Sequence, residues 1–141
     1  MLVKFIFGTQ WKNPVILSQN FSMANGTTIL ILGASSDIGK ATAREYARKG
    51  YQLILTARNI EDLSDLVDEL QAKFSIAIQT KAFDVLDYAN HQSFYLNLEP
   101  EPAGVICLVG YLGDQLKAER HWSEASRILE TNYNGCVSIL N

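Results

Sequence analysis

Histidine and cysteine are scarce in this sequence, at two residues each, and neither forms a ligand pattern. Cys107 and Cys136 make no Cys-x-x-Cys pair and have no histidine at ligand spacing, so a metal site has no support. Both cysteines lie among apolar residues and read as two reduced, buried thiols. Nothing points to an oxidising compartment, and a cytoplasmic location is expected. His91 and His121 fall in different predicted helices, without partners for acid–base work, and read as ordinary helix residues. A formal net charge of −3, with no acidic or basic run, leaves no electrostatic footprint for nucleic acid. No apolar run approaches the ~18 residues of a membrane span, so no membrane partner is expected. A secretory leader is not supported either, because Lys12, Asn13 and Pro14 follow the short apolar patch Phe5-Ile6-Phe7.

What is present is the composition of an ordinary globular domain, 48% hydrophobic and 19% charged over 141 residues. A single domain of that length can bury roughly 70% of the surface its unfolded chain exposes. From Thr27 onward, strand-like and helix-like segments alternate. Thr28–Leu32 is a short apolar run between glycines, as expected of a strand buried on both faces. Asp37–Lys49 has helical composition, and Gly50 stands where a helix C-terminal glycine belongs. Gln52–Ala57 reads as a second strand and Ile60–Lys73 as a second helix, capped by Asn59. Ile76–Phe83 reads as a third strand and Leu86–Leu98 as a third helix. Pro100 and Pro102 then force a break, before a fourth strand, Val105–Val109, and a last helix from about Trp122. Such alternation predicts an α/β fold, a Rossmann-type doubly wound parallel sheet of about four βα units.

The turn between the first strand and helix, Gly33-Ala34-Ser35-Ser36-Asp37-Ile38-Gly39, carries the sharpest chemistry. A pyrophosphate needs backbone amides that can approach closely and the positive end of a helix dipole aimed at it. Gly33 and Gly39 permit the tight turn and the close approach, while Ser35 and Ser36 can add hydroxyl donors or cap the helix. The spacing is not that of Gly-x-Gly-x-x-Gly, so the standard dinucleotide fingerprint is absent.

The stretch Leu30–Gly39 resembles the nucleotide-binding segment of the short-chain dehydrogenase/reductase family, whose pattern is glycine, three residues, glycine, one residue, glycine. Gly33 and Gly39 match the outer glycines and Asp37 stands at the middle one, where its charge suits a helix N-terminus. By the same resemblance Ala57 stands where an NAD-selecting aspartate often sits, and Arg58 follows it. An arginine there accommodates a ribose 2′-phosphate, which implies NADP(H), with NAD(H) the weaker candidate. Asp84-Val85 looks like the family's adenine-contacting pair. Gly110 lies where the family has Asn-Asn-Ala-Gly and permits backbone approach to the cofactor ribose. Thr131-Asn132-Tyr133-Asn134-Gly135 resembles the family's Asn-x-x-Gly helix, which makes Asn132 the catalytic asparagine supporting a water-mediated proton relay.

The resemblance covers about Thr27–Asn141 and implies hydride transfer to or from a small-molecule carbonyl or alcohol. It also implies a catalytic tyrosine with lysine four residues later, and no tyrosine here is so followed. The expectation is therefore an amino-terminal portion of such an oxidoreductase, inactive by itself, with a non-catalytic NADP(H)-binding or regulatory module as the alternative. The organisation expected is a non-core extension over 1–22, or alternatively a short extra element packing on the sheet through Phe5, Phe7 and Trp11, and a partial NAD(P)-binding domain over 23–141, with a homo-oligomer possible in a complete protein. In such a fragment the outer edge of the fourth strand would lack a pairing strand.

Overall fold

The computed structural model describes residues 2–5 and 26–141. Strands β2 (Thr28–Leu32), β3 (Gln52–Ala57), β4 (Ile78–Ala82) and β5 (Gly104–Cys107) run parallel, and β1 (Leu2–Phe5) runs antiparallel to β5. Their order across the single sheet is β1-β5-β2-β3-β4. Sequence order therefore reverses between β2 and β5, the place where doubly wound sheets open a crevice at their strand ends.

Alternation along β2 divides the core between the two faces. Ile29 and Ile31 pack with Leu53, Leu55 and Ile106 beneath α1 (Asp37–Arg48) and α2 (Ser64–Lys73), through Ala43, Ala47, Leu66 and Leu70. Leu30 and Leu32 face the other way, with Ile54, Val105 and Cys107. That face is covered by Phe94 of α3 (Tyr88–Leu96) and by Leu98, and by Ile139 and Leu140 of the last helix. A strand sandwiched like this must be apolar on both sides, which explains the unbroken run at residues 28–32. The expected Rossmann-type α/β fold is what forms.

The later elements differ from their predicted bounds for local reasons. The Asp84 carboxylate accepts from the Leu86 amide at 3.0 Å, so the chain turns after β4 and α3 starts only at Tyr88. The last expected helix forms from Trp122 to Leu140 without a break, as α5 (Trp122–Leu129), a π-helical turn at Glu130–Asn134 and α6 (Gly135–Leu140), and a short α4 (Gln115–Ala118) forms in the loop before it.

The outer edge of β5 is not left unpaired. Leu2–Phe5 lies along it, in register from Leu2 opposite Cys107 to Phe5 opposite Gly104. Residues 2–5 of the expected non-core extension thus belong to the sheet. Backbone amides and carbonyls at a strand edge seek partners whatever the side chains. A four-residue strand added to an edge therefore needs no periodic signature, and none was visible. The remainder of that extension, including Phe7 and Trp11, lies outside the described residues. No helix among the described residues is long and apolar enough to cross a membrane.

Candidate functional site

The first strand-to-helix turn is built by two glycines that admit no larger residue. Gly33 has φ +82°, in the region that favours glycine, and a Cβ there would sit 3.0 Å from the Leu108 carbonyl carbon and the Val109 nitrogen. Gly39 has ordinary helical geometry, but a Cβ on it would meet the Gly33 carbonyl oxygen at 2.4 Å and the Ala34 Cα at 2.7 Å. The start of α1 is therefore pressed directly onto the end of β2. The Ser36 hydroxyl donates to the Gly33 carbonyl at 3.0 Å and accepts from the Gly39 amide at 3.0 Å, which makes it the helix N-cap. Thr56 of β3 holds the turn from beside. Its Oγ1 accepts from the Gly33 amide at 3.4 Å and its carbonyl accepts from the Ala34 amide at 2.8 Å.

With Ser36 spent on the cap, what remains for a ligand is narrower than the sequence suggested. The amides of Ser35, Asp37 and Ile38, and the Ser35 hydroxyl, have no partner among the described residues. They sit at the positive end of α1 and could receive phosphate oxygens. Asp37 is exposed in the first turn of α1, where a carboxylate suits the dipole. The free amides and the Ser35 hydroxyl are the donor set that a pyrophosphate needs, and the two glycines keep the turn that presents them closed.

The other expected residues leave the sheet at the same end. Arg58 follows β3, exposed and without an ion-pair partner among the described residues, two positions beyond the Thr56 that grips the turn. Asp84 follows β4; one of its oxygens is committed to the Leu86 amide. Val85 is buried against Gly135, where a Cβ would meet the Val85 Cγ2 at 2.6 Å. Gly110 follows β5 and is exposed; a Cβ there would meet only the Asn132 Oδ1, at an ordinary 3.7 Å. The internal packing thus does not require glycine at 110.

Both polar atoms of the Asn132 carboxamide meet Tyr111. Its oxygen accepts from the Tyr111 amide at 2.7 Å and its nitrogen donates to the Tyr111 carbonyl at 2.8 Å. This two-bond bridge fastens the π-helical turn to the loop leaving β5. In this geometry the side chain positions that loop, and one N–H and one oxygen lone pair of the exposed carboxamide are left over.

Sequence reasoning missed the second fastener of the same loop. Glu124 of α5 is 4% exposed. It accepts from the Tyr111 hydroxyl at 2.7 Å and the Asp114 amide at 3.1 Å, and pairs with the Lys117 ammonium at 3.4 Å. Arg127 lies over the Tyr111 ring, its Cζ 4.4 Å from the centroid. The Tyr111 and Asp114 hydrogen bonds hold the Glu124 carboxyl below the ordinary glutamate value; burial opposes them and Lys117 assists. A glutamate in the first turn of a helix reads from sequence as a surface charge facing the dipole, so only the fold could reveal this role. His91 likewise proves buried, its ring nitrogens against the Ser138 hydroxyl at 2.9 Å and the Asp84 carbonyl at 3.4 Å.

Residues 27–141 match the family described as short chain dehydrogenase. An uncharacterized oxidoreductase of Mycobacterium tuberculosis is 38% identical over 115 residues, covering 79% of this chain and 46% of that protein. An NADP-dependent 3-hydroxy acid dehydrogenase of Schizosaccharomyces pombe is 31% identical over 123 residues, covering 84% and 48%. Among solved structures, a short chain dehydrogenase from Shigella flexneri superposes with a TM-score of 0.68 at 27% identity, over 82% of this chain and 54% of that one. The chain spans about half the length of the curated relatives it matches.

Two outcomes test this geometry. Gly39→Ala must force the turn apart and is expected to cost about 1–3 kcal/mol in urea unfolding, with a wild-type midpoint as the refuting result. Glu124 contributes stability that is complete above its ordinary value of 4.5 and is lost as pH falls through its lower folded value. Glu124→Gln should therefore flatten the fall of unfolding free energy below that pH, and curves that stay parallel down to acid would remove the role.

Proposed function

The chain belongs to the short-chain dehydrogenase family, and we propose that it carries the NADP(H)-binding part of an oxidoreductase acting on a small-molecule carbonyl or alcohol in the cytoplasm. Members of this family bind NAD or NADP, and Arg58 is the observation that favours NADP. It stands exposed and unpaired among the described residues, at the strand end next to the glycine turn, with Ala57 rather than an acid before it. A guanidinium there meets a 2′-phosphate with a charge-assisted contact, whereas a carboxylate would repel it.

When bound, NADP(H) supplies or accepts the hydride. The contribution of this chain is to bind and orient. The Ser35, Asp37 and Ile38 amides would take the pyrophosphate, with Gly33 and Gly39 keeping the approach open. Asp84 and Val85 would border the adenine, and Gly110 the ribose. Asn132 would be the catalytic asparagine that supports a water-mediated proton relay, and its bridge would also fix Tyr111 beside that ribose. The second reading is a non-catalytic NADP(H)-binding module; none of the six tyrosines in these 141 residues has lysine four positions later, which both readings accommodate. A tyrosine with pKa near 10 is a poor base at neutral pH without that neighbour.

Arg58→Asp is expected to weaken NADPH about ten- to a hundredfold more than NADH in a fluorescence titration, the equivalent of losing one charge-assisted contact. Equal loss for both cofactors would sink the 2′-phosphate assignment. The purified 141-residue chain is expected to bind NADPH without oxidising it in the presence of ketone or aldehyde substrates. Steady NADPH consumption would show that the catalytic groups are present after all.

A further inference from the structure

The two cysteines of the chain, 29 positions apart and unremarkable in sequence, meet in the fold. Cys107 ends β5 and Cys136 is the second residue of α6, and their Sγ atoms lie 3.4 Å apart as free thiols. Nothing in the function proposed above uses them. Cys107 is buried in the core cluster beneath α6, whereas Cys136 is partly exposed and donates weakly to the Thr131 carbonyl at 3.6 Å.

Their placement relative to the site is specific. Cys107 lies four residues before Tyr111 and Cys136 four residues after Asn132. The thiol contact and the Asn132–Tyr111 bridge are therefore two parallel ties between the same pair of segments, one through sulfur and one through a carboxamide. We propose that Cys107 and Cys136 form an oxidisable dithiol, a site of intramolecular disulfide formation that locks the exit of β5 to the helix following Asn132.

The oxidant is a low-molecular-weight disulfide such as oxidised glutathione. Cys136, the more accessible thiol, loses its proton to solvent and attacks one sulfur of the reagent, releasing one equivalent of reagent thiol and forming a mixed disulfide. Cys107 then gives up its proton and displaces the second equivalent from the Cys136 sulfur. Two protein thiols and one reagent disulfide become one protein disulfide and two reagent thiols, a balanced two-electron exchange. Closure requires the sulfurs to approach from 3.4 Å to about 2.05 Å. The order of attack is supported by burial, which pushes the Cys107 thiol up to about 12 and leaves it a poor first nucleophile.

The test uses the full chain, reduced, freed of reductant and incubated with oxidised glutathione. The expected product is a monomer whose intact mass is lower by two hydrogens and in which neither cysteine reacts with a maleimide. Hydrogen exchange should then slow severalfold at the Tyr111 amide, which donates across the locked joint. Cys107→Ser should stop at a stable glutathione adduct on Cys136, and Cys136→Ser should give no intramolecular product. Two thiols that persist, a glutathione adduct as the end product of the unmutated chain, disulfide-linked dimers, or unchanged exchange at Tyr111 in the oxidised chain would each overturn the proposal. The mass and exchange readouts on the unmutated chain decide the matter even if a serine variant does not fold.

Discussion

The contact on which the rest of the structure depends is the one between Gly39 and Gly33. The first turn of α1 rests on the end of β2 with no room for a single methyl group between them. A helix pressed that close presents its free amides at the end of the sheet, where the Ser36 cap leaves Ser35, Asp37 and Ile38 unsatisfied. The polar cost of those amides is met only when an anion or water sits there. Tightness of packing and the exposure of free amide donors are thus one property, seen from the inside and the outside of the turn.

Around that contact the sheet acts as a spacer. Parallel strands of similar length end at similar heights, so residues far apart in sequence leave the sheet side by side. The turn after β2, Arg58 after β3, Asp84 after β4 and Gly110 after β5 arrive at one rim by this route. The loop after β5 has no strand of its own to hold it. It is held instead from α5 by Glu124 and from the π-helical turn by Asn132. A π-helical turn shifts the side chains that follow it relative to a regular helix, and such turns recur at functional sites.

What was legible in the sequence follows from the range of the forces involved. The strand at 28–32 and its helix could be read because apolar runs, caps and glycines act locally, within a few residues. The glycine turn was legible for the same reason, though its resemblance to a known family carried the assignment further than spacing alone. In sequence Ser36 is equally a donor or a cap, and the fold makes it the cap. Glu124, the Asn132–Tyr111 bridge and the meeting of Cys107 with Cys136 were invisible, since each joins segments 10 to 29 residues apart through contacts that no periodicity encodes. The edge strand at 2–5 was open in the sequence only as an alternative, a short element on the sheet, for a different reason: its partner recognises backbone, and backbone is the same in every sequence.

That edge strand has a consequence for the sheet as a whole. The outer amides and carbonyls of β5 can be satisfied by one strand at a time, and Leu2–Phe5 fills them with reversed polarity. Any strand that would extend the sheet parallel to β5 must compete for the same groups, as a second ligand competes for an occupied site. Growth of the sheet on that side is therefore an exchange equilibrium rather than an addition. Its position is set by the difference between two ladders, not by the strength of either one.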